Sequence, residues 1–122
     1  MMQQRKYVRV PFMGTAEIAT EKPPLRVTVS NVSFGGLHLY CSKSFDLGQR
    51  VALRIHGNHS GQAFSETVEG RVVVVHRRPE GNSYGVQFSS CLDMQRQPGL
   101  TSWVDDMIKN VGAVSFLRNL PA

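Results

Sequence analysis

Between Gly14 and Ser90 the chain consists almost wholly of short segments that alternate apolar and polar residues, each ending in turn formers. Alternation of this kind sets every second side chain on one face, as half-buried strands require. "TAEIAT" alternates in this way. "LRVTVSNV", entered through Pro23–Pro24, puts Leu25, Val27 and Val29 on one face, and "GLHLYC" does the same with Leu37, Leu39 and Cys41. "RVALRIH" sets Val51, Leu53 and Ile55 against Arg50, Arg54 and His56. The longer "FSETVEGRVVVVHR" reads as a strand pair or as one bent strand with Gly70 as its bulge or bend. "SYGVQFSS" is the last strand. The segments between them ("EKPP", "NVSFGG", "DLGQ", "GNHSGQ", "RPEGN") are too short to hold crossover helices. About six short strands joined in this way make an antiparallel barrel or sandwich.

The period then changes. In "PGLTSWVDDMIKNV" the apolar residues Leu100, Trp103, Val104, Met107, Ile108 and Val111 recur at helical spacing. Ser102 and Asp105 resemble a capping box. Asp105 and Asp106 early and Lys109 late suit the helix dipole. A helix is expected over about 98–118, with Gly112 as its weakest point. A lone amphipathic helix has only the barrel against which to bury its stripe, so it docks there, with Trp103 as an anchor in the core.

At 122 residues, 41% hydrophobic and 19% charged, the sequence reads as one globular domain. No apolar run is long enough to span a bilayer, and no apolar segment with a cleavage site follows the basic N-terminus, so a cytoplasmic location is expected. The net charge of +5 and pI of about 9.7 favour an anionic partner: nucleic acid, a nucleotide or an acidic protein surface. The two cysteines, Cys41 and Cys91, match no metal or redox spacing and are expected to be reduced, partly buried thiols. His56 and His59 form an HxxH pair in a turn-rich stretch with no third ligand nearby, so no metal or cofactor is expected. No nucleophile elbow, phosphate-binding loop or dinucleotide fingerprint occurs, and nothing in the sequence supports catalysis.

Two short stretches carry the functional signal. "QQRKYVRVPF" gathers Arg5, Lys6, Tyr7 and Arg9 in front of a proline, with Arg5 and Arg9 spaced R-x-x-x-R. "NVSFGG" joins two good strands, with Asn31, Ser33 and Gly36 spaced N-x-S-x-x-G. An Asn amide offers an acceptor and donors to a base edge. The Ser hydroxyl serves either the ligand or the turn, and Gly35 and Gly36 permit a close backbone approach.

In order, interval and strand context these two motifs resemble those of the PilZ domain family, bacterial receptors for the second messenger cyclic di-GMP. "VEGRVVVVHRR" followed by "YGVQF" is similar to the family's late strand pair, and the similarity spans residues 5 to 110. The resemblance implies a mostly β fold: a six-stranded antiparallel β-barrel over 13–122 with the C-terminal helix docked on it. A flexible arm over 1–12 would carry RxxxR. It also implies ligand contacts from Arg5, Arg9, Asn31, Ser33 and Gly36, with Lys6 and Gly35 as lesser contributors. An arginine fork there would grip a phosphate, read guanine O6 and N7, or stack on a base. Asn31 stands where most ligand-binding members carry Asp, and Lys6 where a second Arg is frequent. The first departure implies weaker binding than an Asp would give.

The function implied is a non-enzymatic cyclic di-GMP receptor. It orders its arm on binding and signals in trans to an effector protein controlling motility, attachment or exopolysaccharide. Behind it stand a PilZ-fold interaction module that binds no nucleotide and, from another class, a basic barrel for single-stranded nucleic acid. The latter would want more aromatic platforms than Tyr40, Phe64, Tyr84 and Phe88. "VGAVSFLRNLP" is the stretch through which a homodimer would form.

Overall fold

The computed structural model describes residues 7–118, with side chains through Asn110. Its elements are β1 (Val10–Pro11), β2 (Gly14–Ile18), β3 (Leu25–Val32), β4 (Gly36–Cys41), β5 (Arg50–His59), β6 (Gln62–Arg78), β7 (Gly81–Phe88) and α1 (Pro98–Arg118). All pairings are antiparallel. The order β3-β2-β5-β6-β7-β4 closes through β3–β4 into a six-stranded barrel, and β1 adds to β3 as an extra short strand. Closure removes the open strand edges that would otherwise template aggregation.

The alternation read from the sequence sets which side chains point inward. Val27 and Val29, Leu37 and Leu39, and Val51, Leu53 and Ile55 are all buried in the barrel, joined by Ile18, Phe45, Val72, Tyr84 and Val86. Tyr84 is fully buried, yet its hydroxyl is satisfied: it donates to Lys43 O at 2.9 Å and accepts from Phe45 N at 3.0 Å. A buried phenol without such partners would cost a large part of a hydrogen bond's worth of stability.

Two irregularities break the alternation. In β3 the register against β4 shifts between Val29 and Asn31. The extra residue, Ser30, moves the inward phase from odd to even positions, so Val32 is buried and Asn31 is turned away from the core. In β6 the register against β7 shifts between Val72 and Val74. Here the expectation of a bulge at Gly70 is corrected. Gly70 pairs regularly with both Val51 and Phe88. It is glycine because a Cβ there would lie 2.4 Å from Gln87 O. β6 is a single long strand of 17 residues. The β5–β6 hairpin turns on Ser60 (φ 52°) and Gly61 (φ 79°), two consecutive positive φ values that match the right-handed strand twist.

Helix α1 closes the barrel with Leu100 and Val104, both 0% exposed. The Ser102/Asp105 capping box does not form, because the helix begins four residues earlier, at Pro98. Its N-terminal donors are met from outside the local sequence: Glu66 of β6 accepts from Gly99 N at 2.7 Å and Leu100 N at 2.8 Å. A carboxylate on the positive end of the helix satisfies two orphan donors at once. Trp103 docks edge-on against Phe12 (5.6 Å between centroids), and its indole N–H donates to Pro11 O at 3.0 Å. His59 Nε2 lies 2.5 Å from Asp106 Oδ2, tying the helix to the β5–β6 hairpin. Val111 and the "VGAVSFLRNLP" stretch fall outside the described side chains.

The barrel's packing begins before residue 13. Val10 is 0% and Phe12 6% exposed, and Val10 and Pro11 pair with Val32 and Asn31. The segment expected to be a free arm up to residue 12 is therefore anchored from Val10 onward. Both cysteines are free thiols, but Cys41 is buried and Cys91 is exposed, so only the first matches the expected burial.

Candidate functional site

The turn Asn31–Gly36 is held by Ser33. Its side chain is among the few polar ones that are buried (7% exposed). Ser33 Oγ accepts from Gly35 N at 3.2 Å and Gly36 N at 3.1 Å and donates to Gly36 O at 3.3 Å. Ser33 N also donates to Gly36 O, at 2.8 Å. Of the two uses open to this hydroxyl, the structure shows the turn. Two further main-chain bonds bolt the turn to the end of β7 and the loop after it: Phe88 N to Gly35 O at 2.9 Å and Leu92 N to Phe34 O at 2.8 Å. Gly36 leaves no room for a side chain, since a Cβ would lie 2.4 Å from Val86 O.

Beside this turn lies an open groove of about 540 Å³, lined by Tyr7, Arg9, Ser33, Gly35, Gly36, Val73, Val74, Gln87 and Cys91 among others. Arg9 is exposed at its edge, immediately before the β1 anchor at Val10. One wall is apolar: Val73 and Val74, 43% and 38% exposed, face outward because the β6 bulge carries them there. Bulges beside functional sites commonly serve to re-aim a side chain in this way.

Asn31 is not on the groove's lining but next to it in the strand, opposite Pro11. Its Nδ2 donates to Ser30 Oγ at 3.3 Å, while its Oδ1 is buried with no hydrogen-bond partner among the described residues. Ser30 Oγ is shared with His38 Nδ1 at 2.9 Å. A buried acceptor with no partner among the described residues marks a place where a donor is wanted.

The structure thus brings Arg9, Ser33, Gly35 and Gly36 to one groove and sets Asn31 at its flank. Arg5 and Lys6 lie outside the described residues. Sequence reasoning missed the groove's other walls. In the sequence Tyr7 is one residue of a basic segment, and Cys91 is a thiol outside any motif. The run of four valines from Val72 has no period from which to tell which of them face out.

A larger hollow of about 790 Å³ opens elsewhere on the barrel, lined by Arg26, Tyr40, Arg78, Glu80 and parts of β2 and β7. It carries no residue of either motif. Burial pushes the Cys41 thiol up, and hydrogen bonds from Arg96 hold the Asp93 carboxyl below its usual value. Among the described residues no cluster of His, Cys, Asp and Glu is placed to hold a metal ion, and no helix is long and apolar enough to cross a membrane.

No functionally curated protein matches the sequence. Among solved structures, the Bacillus subtilis inhibitor of motility (MotI/DgrA) superposes with a TM-score of 0.71 at 20% identity, over 89% of this chain and 51% of its own. The chain therefore spans about half the length of that protein. The PilZ domain with c-di-GMP of YcgR from Escherichia coli superposes with a TM-score of 0.64 at 13% identity, over 97% of this chain and 100% of its own. At such identities the likeness is one of fold. The sequence itself matches the model of the PilZ domain over residues 3–104, a span that holds both motifs, the barrel and the first turns of α1, and the chain belongs to the PilZ domain family.

Proposed function

We propose that this chain is a receptor for cyclic di-GMP, not an enzyme, with the groove beside the Asn31–Gly36 turn as its nucleotide site. The observation that carries this reading is that Arg9 of the first motif meets the second motif at one groove. Arg9 stands over the same groove that Ser33, Gly35 and Gly36 line, with the open Oδ1 of Asn31 at its flank. The ligand has two phosphates and two guanines. Arg9, and Arg5 with Lys6 behind it, supply the cationic side, since a guanidinium fork binds phosphate bidentately or reads guanine O6 and N7. Asn31 Oδ1 accepts from the guanine N1–H and N2–H₂ edge. Val73 and Val74 give an apolar wall for a base face, and Ser33 keeps the turn in the shape that admits the ligand.

The receptor's output passes in trans. Closing the Arg5–Arg9 segment over the nucleotide presents a new surface to an effector protein, as segment-ordering switches do. Family membership and the presence of c-di-GMP in the YcgR domain support the ligand assignment.

Calorimetric titration tests the reading, with cyclic di-GMP as ligand, GTP and single-stranded DNA as competitors, and Arg9→Ala as the variant. Saturable binding at micromolar concentration or tighter is expected, undisturbed by GTP. A hydrogen bond to a charged group is worth roughly 1.5–3 kcal/mol, so Arg9→Ala should weaken binding by about tenfold to a hundredfold. Wild-type protein that gives no heat at low and moderate salt would leave a PilZ-fold interaction module in its place.

A further inference from the structure

We infer that Tyr7 is a positioning residue that seats the Tyr7–Arg9 segment on the Asn31–Gly36 turn and thereby sets where Arg9 stands over the groove. The inference rests on the receptor reading for its consequence, though not for its geometry. Tyr7 lies midway between the two motif arginines and is half-buried, whereas Val8 and Arg9 after it are exposed. Its ring lies on the bare Cα of Gly35: a Cβ at that position would be 2.6 Å from Tyr7 Cδ2 and 2.8 Å from Cε2. Phe34 meets the ring edge-on at 6.5 Å between centroids. The Tyr7 hydroxyl lies 3.1 Å from Cys91 Sγ, in the loop after β7.

The seat is stiff. Its two walls, the Gly35 turn and the Cys91 loop, are joined by the main-chain bonds Phe88 N to Gly35 O and Leu92 N to Phe34 O. Val8 and Arg9 are thus strung between two fixed points, the Tyr7 ring on one side and the buried Val10 on the other. Glycine at 35 has a reason independent of the ligand: it makes room for the ring. Without Tyr7, the backbone that carries Arg9 loses its seat on the Gly35 side, and more of the entropy of placing it falls on the binding step.

Two measurements on the full chain test this. The first needs no nucleotide. Cys41 is buried and Cys91 exposed, so alkylation by iodoacetamide reads Cys91, and Tyr7→Ala should speed it severalfold by removing the group at its sulfur. An unchanged rate overturns the seat. The second is the affinity for cyclic di-GMP. Tyr7→Ala should weaken it about tenfold, Tyr7→Phe by no more than about threefold, since the ring stays. The melting temperature of Tyr7→Ala should stay within about 2 °C of wild type, because the ring lies outside the barrel core. A fall in affinity that tracks a lowered melting temperature would mark Tyr7 as a mere structural residue and overturn the proposal.

Gly35→Ala should evict the ring from the other side. The double variant with Tyr7→Ala should then bind no more weakly than the worse single one, and additive losses would overturn the shared seat. Faster alkylation of Tyr7→Ala in a protein whose wild type binds no nucleotide would sustain the seat and sink the receptor reading instead.

Discussion

Arg9 and Ser33 line the same groove but do different work, and their substitutions separate accordingly. Arg9 is exposed, so Arg9→Ala should lower affinity and leave the melting temperature within about 2 °C of wild type. Ser33 is buried and satisfies Gly35 N and Gly36 N. Ser33→Ala leaves those two donors unpaired and should cost about 1–3 kcal/mol of folding stability in denaturant melts, along with affinity. Equal stability of Ser33→Ala and wild type would mean that the hydroxyl serves the ligand alone. Asn31 admits the opposite experiment. Asn31→Asp replaces a neutral acceptor with a charged one, and charge-assisted bonds are roughly twice as strong. The gain in affinity for cyclic di-GMP should be about fivefold or more by titration. A weaker Asp variant would show that the guanine edge is not what this position reads.

At the scale of elements, Glu66 is the contact that couples barrel to helix. It is a strand residue that caps a helix 32 positions or more away in the chain, through Gly99 N and Leu100 N. Glu66→Ala should destabilise the fold by about 1–3 kcal/mol and Glu66→Gln by less, since Gln keeps an acceptor but not the charge. Thermal melts that coincide for all three proteins would rule the cap out. This contact also shows what sequence could and could not reveal. The inward positions of β4 and β5 and the span of α1 were legible because they follow from local periodicity alone. The local Ser102/Asp105 pattern misled because a stronger partner arrives through tertiary contact, which no local rule contains. The bulge at Ser30 was hidden for a related reason. "VTVSNV" alternates as far as Val29, and only pairing with β4 shows that Asn31 turns outward and Val32 inward. Both motifs were legible as spacings. That Tyr7 packs between them, on Gly35, was not, since 28 positions of chain separate the two residues.

For the whole molecule, the barrel and the described segment from Tyr7 onward pack as one unit, so a ligand that joins them would act on stability. The net charge of +5 draws an anion towards a barrel that carries Arg9 at its groove, and the attraction weakens with added salt. From that groove a continuous path runs through Val10 and Phe12 into the core and on to α1, where Trp103 holds Pro11 O and packs on Phe12. A nucleotide that bridges the Arg9 segment to the Asn31–Gly36 turn binds only when these parts are folded together, so its binding free energy adds to that of folding. At a ligand concentration of 100 times Kd the added stability is about 2.7 kcal/mol. For a domain of this size each kcal/mol moves the melting temperature by about 3–5 °C, so a rise on the order of 10 °C is expected with cyclic di-GMP. GTP at the same concentration should give little shift, and Arg9→Ala should lose most of the rise. A calorimetric binding signal with no accompanying rise in melting temperature would place the ligand on the unfolded chain as much as on the barrel. The groove would then lose its claim to be the site.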